Sequence, residues 1–414
     1  MSEGSVGDAI LLSAFVIHPS MTSEPGVGWQ FALATGRVAA QRGLRVLVVT
    51  NRRSYDSSVD AIPDELRATI ELVCVDLPVD PPFFRWHYPR FTRLEHEWWV
   101  RHARRTVRRL AATNRIVYAH HVTFATELLG TPITALDDTT LRVWGPVGAG
   151  GVASVFLLRP RHVGGLVQAA AQAARTVVIR LVARRVTRRC DLVLAQNESA
   201  ARALGGSRVP HRIFSNVVVE ETRFGVDRSP RAADDGGLKL LYVGHVIPRK
   251  RPDIAVEILS SPHLQTATLE ILGHADTPCA DTLRRRIHEL GLGERVRFHG
   301  NVSRDEVGAA MASADVLVHP SGREGASGVV GEATSVGLPV MCFAGTGAAS
   351  VLRQCGGAGV VVDPRPTMSI DDMAVAVIAA ARDTARPDVD WSTRRFERLA
   401  RELIELADRR RGEP

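Results

Sequence analysis

Short runs rich in valine, isoleucine and leucine recur along the chain, separated by stretches whose apolar residues repeat with a helical period. In the first half the runs are Ile10–Ile17, Arg45–Thr50, Ile70–Val75, Ile116–His120 and Leu192–Gln196. In the second half they are Lys239–Gly244, Leu269–Gly273, Val296–Gly300, Asp315–His319, Val340–Phe343 and Gly359–Asp363. Runs this short, without strict alternation, fit strands buried on both faces, and the helical stretches between them imply parallel βαβ crossovers. The series occurs twice. Between the halves Glu220–Gly237 is polar, carries Pro230 and the pair Gly236-Gly237, and lacks an apolar period, which reads as a linker. The expected fold class is therefore α/β, with two doubly wound, Rossmann-like domains facing across a cleft. The expected divisions are a first domain over 1–219, the linker over 220–237, a second domain over 238–391, and a C-terminal helix over 392–414. Whether that helix packs back on the first domain is left open. Ligands of such sheets bind beyond the carboxyl ends of the strands, so the cleft is the expected site.

Composition narrows the function classes. The 414 residues are 45% hydrophobic and 23% charged, which excludes a mostly disordered chain. Five scattered cysteines (Cys74, Cys190, Cys279, Cys342, Cys355) contain no C-x-x-C pair, which fits a reducing cytoplasm better than a disulfide framework or a zinc site. No signal peptide is read at the polar N-terminus, and no uncharged apolar run reaches membrane-spanning length. The formal net charge of +7 favours anionic partners. Arginine supplies all but two of the 52 basic residues, so Lys239 and Lys250 stand out.

The most informative stretch is Asp315-Val-Leu-Val-His-Pro-Ser-Gly-Arg-Glu324-Gly-Ala-Ser-Gly-Val-Val-Gly-Glu332, continuing to Gly337-Leu-Pro-Val-Met-Cys-Phe. A buried strand leads into a loop of small residues and a helix that opens near Ser327 or Gly328. Unpaired amides at a helix N-terminus suit a phosphate, and Gly325 and Gly328 allow close approach to the backbone. Glu324 and Glu332 can accept hydrogen bonds from two sets of sugar hydroxyls. In isolation, two carboxylates eight positions apart are more simply a loop charge and a helix-face residue. The surrounding sequence reverses that preference.

That surrounding sequence resembles the retaining glycosyltransferases of family 4, which have the GT-B fold. Glu324 and Glu332 match their E-x7-E signature within a Pro320-Ser-x-x-Glu-Gly … Glu-Ala … Gly-Leu-Pro-Val frame. Upstream, Leu240-Leu-Tyr-Val-Gly-His-Val-Ile-Pro-Arg-Lys250 is similar to the family's strand and donor-phosphate lysine. Leu269-Glu-Ile-Leu-Gly and Leu290-Gly-Leu-Gly-Glu-Arg-Val-Arg-Phe-His-Gly300 follow in the family's order. In the first half, Ser23-Glu-Pro-Gly-Val-Gly-Trp29 resembles the S-E-P-G-x-G-W loop of one subgroup, and Ala119–Phe124 and Trp144–Gly151 resemble its later segments.

The resemblance implies a metal-independent hexosyltransferase that uses no cofactor beyond its co-substrate, a nucleotide-diphosphate sugar, with UDP preferred on family frequency. Lys250 would neutralise the leaving diphosphate, helped by the Ser327–Val329 amides. Glu324 would contact donor-sugar hydroxyls and Glu332 the ribose. Gly26, Gly28, His245, Arg249, Gly325 and Ala326 complete the expected donor set. His120, preferred over His121, would lie near the acceptor or the transferred sugar, and the catalytic set is His120, Lys250 and Glu324. Retention on one face, with the leaving phosphate oxygen taking the acceptor proton, needs no dedicated protein base. The chain departs from the family in having His245 where arginine is usual, and Ala326-Ser327 where Phe-Gly is common.

Other patterns carry less. Asp388-Val-Asp390 is formally a metal-binding D-x-D but lies near the C-terminal helix, away from any strand end, and no Walker A loop is present. Pro81–Trp99 interleaves aromatics with arginines, and Arg175–Arg189 forms a second basic run. The favoured reading of the first is a core-facing aromatic stripe with a solvated basic face. Peripheral contact with an anionic membrane stays open, as does a cytoplasmic protein held at the inner membrane face. Nucleic acid is not an expected partner. The competing class is a basic membrane- or nucleic-acid-binding protein that uses its sheets as scaffold. The acceptor is a hydroxyl compound, and a polysaccharide, a lipid-linked carrier and a secondary metabolite such as an aminocyclitol are all left open.

Overall fold

The computed structural model describes residues 7–21, 24–77, 92–148, 151–158, 165–205, 209–218, 237–385 and 394–412. Most of the expected linker, Asp388-Val-Asp390, Ser23, the 149–150 pair and residues 81–91 of the aromatic-arginine segment lie outside the described residues.

The first domain holds a seven-stranded, wholly parallel sheet. Its strands are β1 (Asp8–Ala14), β2 (Arg45–Asn51), β3 (Ile70–Val75), β4 (Arg115–Thr123), β5 (Leu141–Val147), β6 (Leu192–Ala195) and β7 (His211–Ile213), in the order β3-β2-β1-β4-β5-β6-β7. The second domain repeats the plan with β8 (Lys239–Val243), β9 (Thr268–Leu272), β10 (Val296–Gly300), β11 (Val316–His319), β12 (Val340–Phe343) and β13 (Gly359–Val362), in the order β10-β9-β8-β11-β12-β13. Both orders reverse beside the first strand of their sheet, so each domain has a topological switch point where its strand ends open a crevice.

Every strand expected from the apolar runs is present. Two more were not anticipated. Leu141–Val147 carries Arg142 and a Gly-Pro step, which breaks the apolar signal, yet the whole strand is buried. Arg142 is tolerated there because its guanidinium pairs with Asp191 at 3.1 Å and with Asp138 at 2.7 Å. The other, His211–Ile213, is a three-residue edge strand. Trp99, Val100, Ala103 and Val107 face the core from the helix Thr92–Thr113, while Arg101, Arg105, Arg108 and Arg109 point to solvent. Of the aromatic-arginine segment only its end, through Trp99, lies on this helix among the described residues.

The helix Arg394–Arg411 lies on the first domain although it follows the second in sequence. The Phe396 ring stacks on Phe31 at 3.9 Å, Arg411 donates to the Ile116 carbonyl at 3.2 Å, and Arg410 pairs with Asp191 at 2.8 Å. A chain that crosses back in this way ties the two domains together, and Arg395 bonds both the Val217 carbonyl and Gln354 of the second domain.

The helix Gly165–Thr187 is long and apolar enough by composition to cross a membrane, although Arg175, Arg180, Arg184 and Arg185 interrupt it. It packs one face, with Ala169, Ile179, Ala183 and Val186, against the first domain, and exposes Leu166, Val167, Val177, Val178 and Leu181 on the other.

Candidate active site

The site is built on the carboxyl ends of β8 and β11. After β11, residues 320–327 form a loop into the helix Gly328–Ser335, whose N-cap is Ser327. The Ser327 hydroxyl makes no capping bond; it meets His319 Nε2 at 3.2 Å, leaving the first amides of the helix directed outward. After β8, the short turn Pro248–Lys250 brings Lys250 over the same loop. Gly244 makes that approach possible. Its φ is +149°, and a Cβ there would stand 3.1 Å from Lys250 Nζ.

Lys250 Nζ lies 3.2 Å from Glu324 Oε1, and Ser321 Oγ donates to the same oxygen at 3.0 Å. Arg249 Nη1 is 3.6 Å away and His319 Nε2 3.8 Å. Glu324 is only 11% exposed and Lys250 14%. Burial pushes the Glu324 carboxyl up, but Lys250, His319, Arg249 and the Ser321 hydrogen bond outweigh it, so its pKa lies below the ordinary value. Glu324 is therefore an anionic acceptor at neutral pH. Burial and the nearby Lys250 charge push His319 down to about 4, which keeps it neutral.

Lys250, Glu324, Ala326, Ser327, Gly328, Val329 and Glu332 line one cavity of about 330 Å³, with Arg304 and Val307 closing its far wall. The structure thus gathers most of the expected donor set around a single space. One lysine, outward helix amides and two carboxylates suit a ligand that has both an anionic group and hydroxyls. Among the described residues no cluster of three or more His, Cys, Asp or Glu is arranged to hold a metal ion.

Other expected residues lie elsewhere. His245 is exposed, with its ring 5.9 Å from that of His274, and it does not border the cavity. Arg249 borders a neighbouring cavity, with Gly325 in the loop between. Gly26 and Gly28 are not in a phosphate-facing turn; both are buried in the first turns of the helix Glu24–Gln41. A Cβ on Gly26 would overlap the Met21 carbonyl oxygen, and one on Gly28 would stand 2.9 Å from the Val16 oxygen, so these glycines let the helix pack on the chain before it.

The histidine assignment needs the same correction. β4 runs on to Thr123, so His120 and His121 lie within the sheet rather than after it. His120 Nε2 meets the Gly145 carbonyl at 2.6 Å and its ring packs edge-on against Phe31; His121 Nδ1 meets Ser13 Oγ at 2.9 Å. Both are buried and neither lines the Glu324 cavity.

These buried histidines have a measurable consequence. Burial pushes His120 down to about 4, partly offset by its bond to Gly145. A histidine whose folded pKa lies below its unfolded value contributes its stability fully above about pH 6.5 and loses it as pH falls toward the folded pKa. His120 and His319 should each remove about 1.4 kcal/mol per pH unit across that window. Thermal unfolding should therefore show a marked fall in Tm between pH 7 and pH 5; an unchanged Tm would mean that these rings are solvated.

Sequence reasoning missed the residues that hold the loop from the other domain. Asn197, after β6, caps the helix Glu198–Ala203 through Oδ1 and donates from Nδ2 to the carbonyls of Gly325 at 2.8 Å and Glu324 at 3.3 Å. Gly151 bridges Arg323, and Val152 N donates to the Gly322 carbonyl at 2.9 Å. Arg251, fully buried with φ +53°, bonds the carbonyls of Val155 and Leu158 and pairs with Asp253 at 2.7 Å. Asn197 had a sequence signal, a cap-type residue between a strand and a helix. Arg251 had none beyond its place after Lys250.

Residues 225–394 match the model of the family described as Glycosyl transferases group 1. A GDP-mannose-dependent alpha-(1-6)-phosphatidylinositol monomannoside mannosyltransferase of Mycobacterium tuberculosis is 34% identical over 200 residues, covering 42% of this chain and 51% of the relative. The chain thus spans about half the length of the curated relative it matches. The lipopolysaccharide outer core galactosyltransferase WaaB superposes with a TM-score of 0.57 at 15% identity, over 97% of this chain and 98% of that one. Sucrose-phosphate synthase from Thermosynechococcus elongatus gives 0.53 at 19% identity, over 97% and 94%. The fold is that of the GT-B glycosyltransferases, two parallel-sheet Rossmann-like domains.

Proposed function

We propose that this protein transfers a sugar from a nucleotide diphosphate to a hydroxyl acceptor, with retention of configuration and without a metal ion. The observation that carries the reading is the meeting of Lys250, Glu324, Glu332 and the Gly328–Ser335 amides around one cavity, inside the segment that matches the glycosyl transferase family model. A protein that used its sheets only as scaffold for membrane or nucleic acid has no use for a half-buried Lys-Glu pair at a helix N-terminus.

In this reading the donor diphosphate lies against Lys250 and the Ser327–Val329 backbone. Fixed cations and amides act most strongly where charge develops on a departing phosphate in a closed cleft. Glu324, held anionic, accepts hydrogen bonds from donor-sugar hydroxyls, and Glu332 from the ribose. The leaving phosphate oxygen takes the acceptor proton on the same face, so no protein base is needed, unlike the paired carboxylates of retaining glycosidases. The burial of His120 and His121 is compatible with this, since neither is required to move a proton.

Differential scanning fluorimetry against nucleotides and nucleotide sugars tests the donor. A ligand at a hundred times its Kd stabilises the native state by about 2.7 kcal/mol, and the base giving the largest shift names the donor, with UDP expected. No shift with any nucleoside diphosphate would remove the reading.

The helix Gly165–Thr187 adds a location. Its exposed Leu166, Val167, Val177, Val178 and Leu181 stand beside exposed Arg180, Arg184 and Arg185, and the helix has no acidic residue. That face suits peripheral contact with the anionic inner leaflet, where a lipid-linked acceptor would be met. Co-sedimentation with anionic vesicles at low salt is expected; its absence would leave a soluble acceptor.

A further inference from the structure

A second cavity, of about 550 Å³, adjoins the first on the other side of Arg249. Its floor is apolar, formed by Phe156, Ile247, Pro248 and Ala171. Three arginines line it from three elements: Arg175 from the helix Gly165–Thr187, Arg249 from the turn after β8, and Arg323 from the loop after β11. Two belong to the second domain and one to the first, so the space exists only where the domains meet.

The charges there are not balanced by the protein. Arg175 pairs with Glu127 at 3.0 Å, yet its buried Nε has no hydrogen-bond partner in the protein. Arg249 donates to the Arg323 carbonyl and stands 3.6 Å from Glu324, which Lys250 approaches more closely. Arg323 makes no ion pair with any carboxylate among the described residues. Burial, and repulsion from Arg175 and Arg249, outweigh the attraction of Glu127 and push its pKa below the ordinary arginine value. Gathering like charges over an apolar floor costs free energy that a bound anion would recover.

We propose that this second cavity is an acceptor subsite that receives a phosphoryl group, with the apolar floor lying against the part of the acceptor that carries it. A doubly charged phosphate oxygen set matches several guanidinium forks at once, whereas a single carboxylate is satisfied by one. The position, next to Glu324 but outside the cavity lined by Lys250 and Glu332, places the phosphoryl group beside the reacting sugar and not on the nucleotide. The inference rests on the transferase reading above. The same chemistry is offered by the headgroup of a lipid-linked acceptor and by a soluble sugar or cyclitol phosphate.

The test is titration calorimetry of the full chain with octyl phosphate, glucose 6-phosphate and, as neutral control, octyl glucoside, each with and without saturating nucleoside diphosphate. The variants are Arg323→Gln and the double variant Glu127→Gln/Arg175→Gln, which removes the buried pair together and avoids leaving Glu127 unpaired. At least one phosphorylated probe should bind ten-fold or more tighter than octyl glucoside. Each variant should weaken it about ten-fold while nucleoside diphosphate affinity stays within two-fold. Tighter octyl phosphate assigns a lipid source, and tighter glucose 6-phosphate a soluble one. Unaltered probe binding in Arg323→Gln, or competition between probe and nucleoside diphosphate, would overturn the proposal, the second by assigning the arginines to the donor. Probe binding retained in a protein that binds no nucleoside diphosphate would instead overturn the transferase reading and leave the anion site standing.

Discussion

Replacing Lys250 by alanine should lower sugar transfer by about 10²–10³-fold while leaving Tm within a few degrees of the parent. The ammonium is 14% exposed, stands 3.2 Å from Glu324, and faces a cavity closed by the helix Gly328–Ser335. It is placed where the leaving phosphate would gain charge, and removing one preorganised cation from such a site costs catalysis far more than folding. Fold stability rests on the apolar cores, not on this side chain. Glu324→Gln keeps the shape of the side chain and removes its charge. It should leave nucleoside diphosphate binding nearly intact and lower turnover at saturating donor, because its partner is the sugar. Product formation measured for both variants alongside thermal unfolding checks the pair. Normal turnover in both would withdraw these residues from the chemistry.

The second large effect concerns Arg251. Methionine in its place should destabilise the protein by about 3–5 kcal/mol, the cost of breaking a buried ion pair by removing one partner. The guanidinium is fully buried, pairs with Asp253, and bonds the carbonyls of Val155 and Leu158. Those two residues come from the first half of the chain yet pack into the core of the second domain. Arg251 thus pins a strap that also carries Val152 and Gly151, the residues that hold the loop before Glu324. Loss of the pin should lower Tm by several degrees and weaken nucleotide binding together. A variant with parental Tm would show that the strap is held by its apolar contacts alone.

Much of the fold was legible because parallel strands buried on both faces announce themselves as uninterrupted apolar runs. Leu141–Val147 escaped because Arg142 interrupts its run, and the partner that makes a buried arginine tolerable, Asp191, lies 49 residues on. The Glu324–Glu332 segment was legible because strand, loop, helix and both carboxylates are contiguous. His120 and His121 were misplaced by three residues at the end of one strand: ending β4 at His120 puts them at the cleft, whereas its continuation to Thr123 puts them in the core. Asn197, Arg175, Arg251 and Arg323 act through contacts across more than 40 positions of chain or between domains, and no local pattern encodes those.

Titration calorimetry of UDP, GDP and their monophosphates into the parent protein and Lys250→Ala tests the donor site most directly. One nucleoside diphosphate should bind the parent more tightly than its monophosphate does, and Lys250→Ala should abolish this difference while unfolding at the parental temperature. A diphosphate bound equally well by both proteins, or by neither, would contradict the assignment of the Lys250–Glu324 cavity to a sugar nucleotide.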